Sequence, residues 1–562
     1  MKCIATINVD LEHSPLGTRS RLAEDLLGEP VLRRTVTRVL AASRLARVFV
    51  LAPQAQAARV AELLAGLTVS IVPHDGNLPP HAALVRAGRV WGLDGWRGGI
   101  GGLCAFDEDI NVPLAAAVAA KADAEAVASI PAAAAVIDPA MIDAMVDHFE
   151  TSSGAFRLAI VQAPPGLGLA VFARALLEEL APSGQPPGAL LTYQPSHPGP
   201  DITGKPACYR PPAEVVEARG RLLCDTQRSL VRVRDLLADG GGDWDARRVA
   251  QWLASREFAH VDAVPEEIEI ELTTEEPFSS GSSSHDTGRA RARAATGDSR
   301  SVGSLLHPRG EAVGRRGPIS MEAIRSVAAA IAEYDDVRIV LGGFGEPCCH
   351  PRFAEICRVL RDSTAAAVAV RTAGELGDSA VEKALFETPV DVVEVTLDAA
   401  TRETYRQIHG VDRFDEVAAR LESWLARRIS GKQVRPVIVP SFVKAKENLH
   451  EMEQFFDRWQ QRLGSVLVTG YSHCAGQRPR RAVTSMAPPQ RGPCRRVFKR
   501  LSILADGRVT TCDQDFAGKQ TFGSLADAPL GELWHSACLA AIRSGDHARH
   551  PLCPACDEWH RP

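Results

Sequence analysis

Twice along this chain, short β-prone runs alternate with stretches of helical periodicity, a rhythm that a polypeptide satisfies by laying helices on a mostly parallel sheet. In the first half the alternation places strands over residues 4–9, 46–51 and 68–73, with one helix near 30–43 and another before the third strand. It implies an α/β, doubly wound domain over residues 1–238. In the second half strands fall over 266–272, 337–341, 367–371, 390–397, 434–440 and 465–471, with a helix over 320–334. Repeated strand-helix units with parallel connections imply a full or partial (β/α) barrel over residues 264–478. Residues 239–263 read as a linker, and residues 479–562 as a small cysteine-rich module. A chain of 562 residues exceeds what one hydrophobic core organises, so such a division is required.

Hydrophobic residues at 45% and charged residues at 24% are ordinary globular values. A net charge of -5 gives no global reason to bind nucleic acid or acidic membranes. No apolar run has membrane-spanning length, and the first nine residues read as a strand rather than a secretory signal, so the expected location is cytoplasmic. Thirteen cysteines in such a chain read as buried small hydrophobes and metal ligands, not as a disulfide framework. Residues 266–272 alternate strictly, which implies a strand with one wet face. The insert at about 275–305 lacks the apolar content to pack and reads as disordered, with Arg289, Arg291, Arg293 and Arg300 solvated. The glycine-dense stretch 91–102 suits either a plain turn or close backbone approach to a ligand.

Four cysteines near the end of the chain carry the chemistry. Cys494 precedes a β-prone run, Cys512 follows the next one, and Cys553-Pro-Ala-Cys556 is a C-x-x-C pair; 17, 40 and 2 residues separate the four. A C-x-x-C pair supplies two sulfurs from one turn, and a hairpin fixes another. Asp506-Gly507 between the two β-prone runs is a strong hairpin signal, because the turn needs positive φ. The quartet is sufficient for one site holding either a [4Fe-4S] cluster or Zn2+, and spacing alone does not separate them. Cys348, Cys349, Cys357 and Cys538 read as small hydrophobes, while Cys474, near the end of a barrel strand, is within reach of a cofactor in one reading and structural in the other.

Gly342-Gly-Phe-Gly-Glu-Pro347 resembles the Gly-Gly-Glu-type turn of radical S-adenosylmethionine (radical SAM) proteins, and residues 395–405 resemble a strand and following helix of the same barrel. Residues 494–559 are similar to the SPASM, or shorter twitch, extension of those enzymes. The resemblance implies that Gly342, Gly343, Gly345, Glu346 and Pro347 hold S-adenosylmethionine. It also implies that Cys494, Cys512, Cys553 and Cys556 bind one auxiliary [4Fe-4S] cluster, and that the partners are a peptide or small-molecule substrate and an electron donor. The family's C-x3-C-x2-C loop after the first barrel strand is absent. Its three positions fall near Glu276, Ser280 and Ser283, none of them a thiol, and His285 is a lone histidine. Serine is a poor replacement, because its proton is held far more tightly than that of cysteine.

The amino-terminal strand order, with Arg19 and Arg21 in the first loop, resembles the nucleotide-diphospho-sugar transferase fold. Alanines 132–135 occupy the stretch where that family places a metal-binding aspartate, and Asp107 and Asp109 are either replacements or a solvated acidic turn. Three readings stay open: an iron-sulfur protein of the radical SAM/SPASM type, a non-catalytic pseudoenzyme, and a nucleotidyl- or glycosyltransferase with an accessory metal module.

Overall fold

The computed structural model describes residues 1–152, 155–196, 198–199, 201–275, 304–308, 313–374, 379–388 and 390–561. Glu276, Ser280, Ser283, His285, the four insert arginines and most of the insert lie outside the described residues. The chain divides into two units, Met1–His260 and Val261–Pro562.

The first unit is built on a seven-stranded sheet of order β3-β2-β1-β4-β6-β5-β7. Its strands are β1 (Cys3–Asn8), β2 (Arg47–Pro53), β3 (Ser70–His74), β4 (Ala126–Ser129), β5 (Leu158–Val161), β6 (Ala170–Ala173) and β7 (Cys208–Tyr209). β1 pairs in parallel with β2 on one side and β4 on the other, while β6 runs antiparallel to both β4 and β5. The strand order reverses at β1, and the crevice beyond its carboxyl end is where an open α/β sheet receives ligands. Residues 239–263 are not a bare linker. They contain helix Ala246–Arg256, whose Val249, Ala250 and Leu253 join the core of this unit.

The glycine-dense stretch wraps a buried arginine. Arg89, fully buried, donates from Nη1 to the carbonyls of Gly92 and Gly98 and from Nη2 to that of Gly95, and its Nε pairs with Glu108. A Cβ on Gly92 would lie 2.3 Å from the Gly99 nitrogen, so this packing requires glycine. Nor are residues 107–109 a solvated turn. All three are buried: Asp107 accepts from the backbone of Cys104 and Gly188, and Glu108 is shared by Arg89 and Arg221.

The second unit has an eight-stranded sheet, order β13-β12-β11-β10-β9-β8-β14-β15. β8 (Glu267–Glu271), β9 (Arg338–Gly342), β10 (Ala367–Thr372), β11 (Val392–Thr396), β12 (Val437–Lys444) and β13 (Leu467–Gly470) run in parallel register. The sheet is an open partial barrel. β14 (Arg500–Ile503) pairs in parallel with β8 and antiparallel with β15 (Val509–Thr510), so the cysteine-bearing tail continues the sheet.

One carboxylate locks these parts together. Glu271, 2% exposed at the end of β8, takes a bidentate ion pair from Arg316 and accepts the backbone N–H groups of Phe344 and Ala505. Arg316 also donates to the Phe516 carbonyl. Removing one member of a buried pair strands the other, at about 3–5 kcal/mol. Arg316→Met is therefore expected to lower the unfolding free energy by about that amount, read as a shift of the guanidinium midpoint. Glu271→Leu combined with Arg316→Leu recovers only part of the loss, because the Phe344 and Ala505 amides then lack an acceptor.

Candidate functional site

The hairpin, a short helix and a single 3-10 turn bring the terminal cysteines together. Cys494 lies just before helix Arg496–Lys499, which leads into β14. The β14–β15 hairpin turns at Gly507, φ +82°, and Cys512 follows β15 in extended conformation. Cys553 and Cys556 bracket one turn, closed by the Cys556 N–H on the Cys553 carbonyl at 3.1 Å. All four thiols line one pocket, beside Ala475, Arg491, Arg496, Gln514, Asp515 and His550. They are unpaired as disulfides. Burial, with Cys494 and Cys556 adding to it, pushes the Cys553 thiol up to about 12. Burial likewise pushes Cys556 up to about 11, and Cys512 well up, with Asp513 reinforcing the effect.

Donors to sulfur are already in place: the Glu558 N–H reaches the Cys556 Sγ at 3.3 Å, and the Thr511 hydroxyl lies 3.9 Å from the Cys512 Sγ. Among the described residues, no three His, Cys, Asp or Glu side chains are grouped so as to hold a single metal ion. One buried and three half-buried cysteines sharing a pocket with sulfur-directed donors fit an iron-sulfur group, which demands thiolates and compensates their charge through such hydrogen bonds.

The Gly342–Pro347 turn leaves the carboxyl end of β9. Gly343 has φ +86°, and a Cβ on Gly345 would meet the Thr273 carbonyl oxygen at 2.3 Å, so the turn packs directly on the end of β8. Glu346, fully buried, accepts from the Ala373 N–H at 2.9 Å and from the Cys348 N–H at 3.4 Å, joining the turn to the end of β10. Cys348 and Cys357 are buried in the core. Cys474, φ +49°, is buried too; burial pushes its thiol up to about 12, and the pocket wall at that point is Ala475.

A charged face of the sheet joins these regions. Ile268, Ile270, Ile339, Leu341, Val368, Val370, Val393 and Val395 enter the hydrophobic core, while the alternate positions on the other face include Glu267, Glu269, Arg338, Arg371 and Glu394. The alternation of β8 thus reports a face occupied by ions. Arg371 bridges Glu269 at 3.4 Å and Glu394 at 3.2 Å, and Arg500 from β14 reaches Glu267 at 3.2 Å. Burial opposes ionisation of Asp513, but Arg496, Arg500 and Arg371 overcome it and hold that carboxyl below its ordinary range. Asp513 neighbours Cys512, so the ionic face ends beside the thiol pocket. Sequence reasoning missed Arg496 and Asp513, although each lies within two residues of a cysteine of the quartet.

Residues 300–458 match the radical SAM superfamily, and residues 494–557 match SPASM, an iron-sulfur cluster-binding domain. Both matches fall within the second unit. An uncharacterized protein of Treponema pallidum (strain Nichols) is 25% identical over 328 residues, 57% of this chain and 85% of that protein. Among solved structures, Streptococcus suis SuiB bound to precursor peptide SuiA aligns at 11% identity and TM-score 0.40, over 59% of this chain and 84% of that one. A cytidylyltransferase from Leptospira borgpetersenii aligns at 15% identity and TM-score 0.34, over 46% of this chain and 95% of that one. The radical SAM and SPASM domains imply binding of an iron-sulfur cluster and S-adenosylmethionine. No helix among the described residues is long and apolar enough to cross a membrane.

The radical SAM domain's ionic face has a pH signature. Burial pushes Glu269 up to about 7, against the opposing charge of Arg371. Its folded-state value lies above the ordinary 4.5, so its stabilising contribution is complete below about pH 4.5 and is lost as pH rises through about 7. The stability of the native protein minus that of Glu269→Gln is expected to fall by on the order of 1–3 kcal/mol between about pH 4.5 and 7.5. Parallel stability curves across that window contradict this assignment.

Proposed function

We propose that this chain is an iron-sulfur protein of the radical SAM/SPASM type that acts on a peptide or small molecule held against the ionic face of its partial barrel. Its one [4Fe-4S] cluster is held by Cys494, Cys512, Cys553 and Cys556. The single observation that carries this reading is the convergence of those thiols on one pocket. A zinc ion draws four sulfurs to roughly 3.8 Å of one another, given Zn–S bonds near 2.3 Å in a tetrahedron. Four thiols lining one pocket, with a backbone N–H already directed at one of the sulfurs, support an iron-sulfur centre, and zinc is the alternative that metal analysis excludes. When bound, such a cluster supplies one-electron chemistry. The chain's own residues supply the rest: Arg496 and the Glu558 N–H face the sulfurs, Asp513 connects them to the ionic face, and Arg371, Glu269 and Glu394 offer charge to a polar substrate. Gly342, Gly343, Gly345, Glu346 and Pro347 are the residues proposed to hold S-adenosylmethionine.

Anaerobic reconstitution followed by iron, sulfide and zinc analysis tests the centre. We expect about four iron and four sulfide per chain and essentially none in Cys553→Ala combined with Cys556→Ala. A full complement in that variant means the ligands lie elsewhere. Formation of 5'-deoxyadenosine on reduction with S-adenosylmethionine present supports catalysis. Its absence in a fully loaded protein favours the non-catalytic reading, which the missing C-x3-C-x2-C thiols already support.

A second reading concerns the first unit. Asp109 and Asp225 line the crevice beyond β1 together with Ala132, Ala133, Ser20, Arg21 and Arg86. Burial, then Glu108 and Asp225, pushes the Asp109 carboxyl well up, a state that a bound cation relieves. We read this crevice as the site of a magnesium-bound nucleotide. Asp109→Asn is expected to weaken magnesium-dependent nucleotide binding at least tenfold by calorimetry, and equal affinity with and without magnesium contradicts the reading.

A further inference from the structure

Arg496 is the first residue of helix Arg496–Lys499 and is 7% exposed. Its guanidinium is gripped from two sides. Nη1 donates to the Asp513 carboxylate, and Nη2 donates to Glu558 Oε2 at 3.2 Å. Asp513 follows Cys512, and Glu558 lies two residues beyond Cys556 and sends its own N–H to that cysteine's sulfur. One cation is thus fixed by the neighbours of two of the four thiols, and it forms part of the wall of their pocket. The third nitrogen, Nε, is buried, and its N–H has no acceptor from the protein. Buried donors are almost always satisfied, so an orphan at the wall of a ligand pocket marks a group whose acceptor is the ligand.

We propose that Arg496 is a positioning and tuning residue for the iron-sulfur centre, donating its Nε–H to a sulfur of the bound cluster and favouring the reduced, more negative state. This rests on the cluster assignment above. Hydrogen bonds to sulfur, net charge and burial set iron-sulfur potentials, and a partner of this kind also orients the ligand that it contacts. The ion pairs to Asp513 and Glu558 hold the guanidinium in place at the pocket wall. Arg491 provides the internal comparison. It lines the same pocket but is exposed and donates to the Cys556 carbonyl at 3.1 Å, so water screens its charge.

The test uses the full chain, reconstituted anaerobically, with iron and sulfide analysis preceding a potentiometric titration followed by electron paramagnetic resonance. In Arg496→Gln the ratio of reduced to oxidised cluster at a fixed potential is expected to fall about tenfold, a shift of about 59 mV to the negative for a one-electron couple. Arg496→Lys, which keeps the charge and loses the planar donor, shifts in the same direction by less. Arg491→Gln changes the ratio less than threefold. An iron-loaded Arg496→Gln protein with the native potential overturns the proposal, as do equal shifts in Arg496→Gln and Arg491→Gln. If Arg496→Gln takes up no iron, a native potential in Arg496→Lys overturns it. Zinc, or no cluster, in the native protein removes both this proposal and the assignment beneath it, and the metal analysis reveals that outcome before any titration.

Discussion

The fold of the second unit hangs on a carboxylate where four segments meet. Glu271 ends β8, and its two oxygens receive the Arg316 guanidinium and the amides of Phe344 and Ala505. Phe344 belongs to the turn after β9, Ala505 to the hairpin after β14, and Arg316 to the segment that precedes helix Met321–Ile331. A buried carboxylate tolerates few alternative geometries, since each unmet charge or donor is expensive in a low-dielectric setting. The relative placement of the glycine turn and the cysteine tail is therefore set by one side chain, before any ligand binds.

Much of this architecture is legible in the chain. Short β-prone runs marked all six parallel strands, strict alternation marked the first of them, and positions such as Ile339 and Leu341 share one core. Asp506-Gly507 marked the hairpin because positive φ is required there. Most of what stayed hidden shares one cause, long-range pairing of charges. Alternation along β8 reveals that Glu267 and Glu269 avoid the apolar core, yet does not say whether water or an arginine meets them. The partners Arg500 and Arg371 lie far along the sequence. The same holds for residues 107–109, whose burial depends on Arg221 more than a hundred residues away, and for the glycine stretch, whose carbonyls face Arg89. Helix Ala246–Arg256 was hidden by a different cause: its apolar stripe needed the first unit's core to acquire meaning.

The ionic face and the thiol pocket form one electrostatic system. Asp513 is common to both, paired with Arg496 at the pocket and held by Arg500 and Arg371 at the sheet. A change of charge at the sulfurs is felt by Arg496 and Asp513 directly, and by Arg371, Glu269 and Glu394 through them. Asp513 and Arg371 keep 35% and 39% of their side chains exposed, so water weakens the coupling at those groups, while Arg496, at 9%, is the shielded member. Charge brought to the ionic face and charge brought to the thiol pocket are thereby linked reciprocally, as any two sites with a shared interaction free energy must be.

The glycine turn and the cysteine quartet do not carry equal weight as functional evidence. Every residue of the turn that stands out has a folding reason to be there. Gly343 meets positive φ, Gly345 gives way to the Thr273 carbonyl, and Glu346 satisfies the amides of Cys348 and Ala373. A chain that had abandoned S-adenosylmethionine would still need them to keep β8, β9 and β10 in register. The quartet has no such excuse. Four thiols around one pocket contribute little packing that alanine or valine would not supply, and they bring Arg496 and a backbone donor with them. Residues whose identity the fold does not explain are the ones that report function, and by that measure the quartet is the stronger functional evidence in this chain.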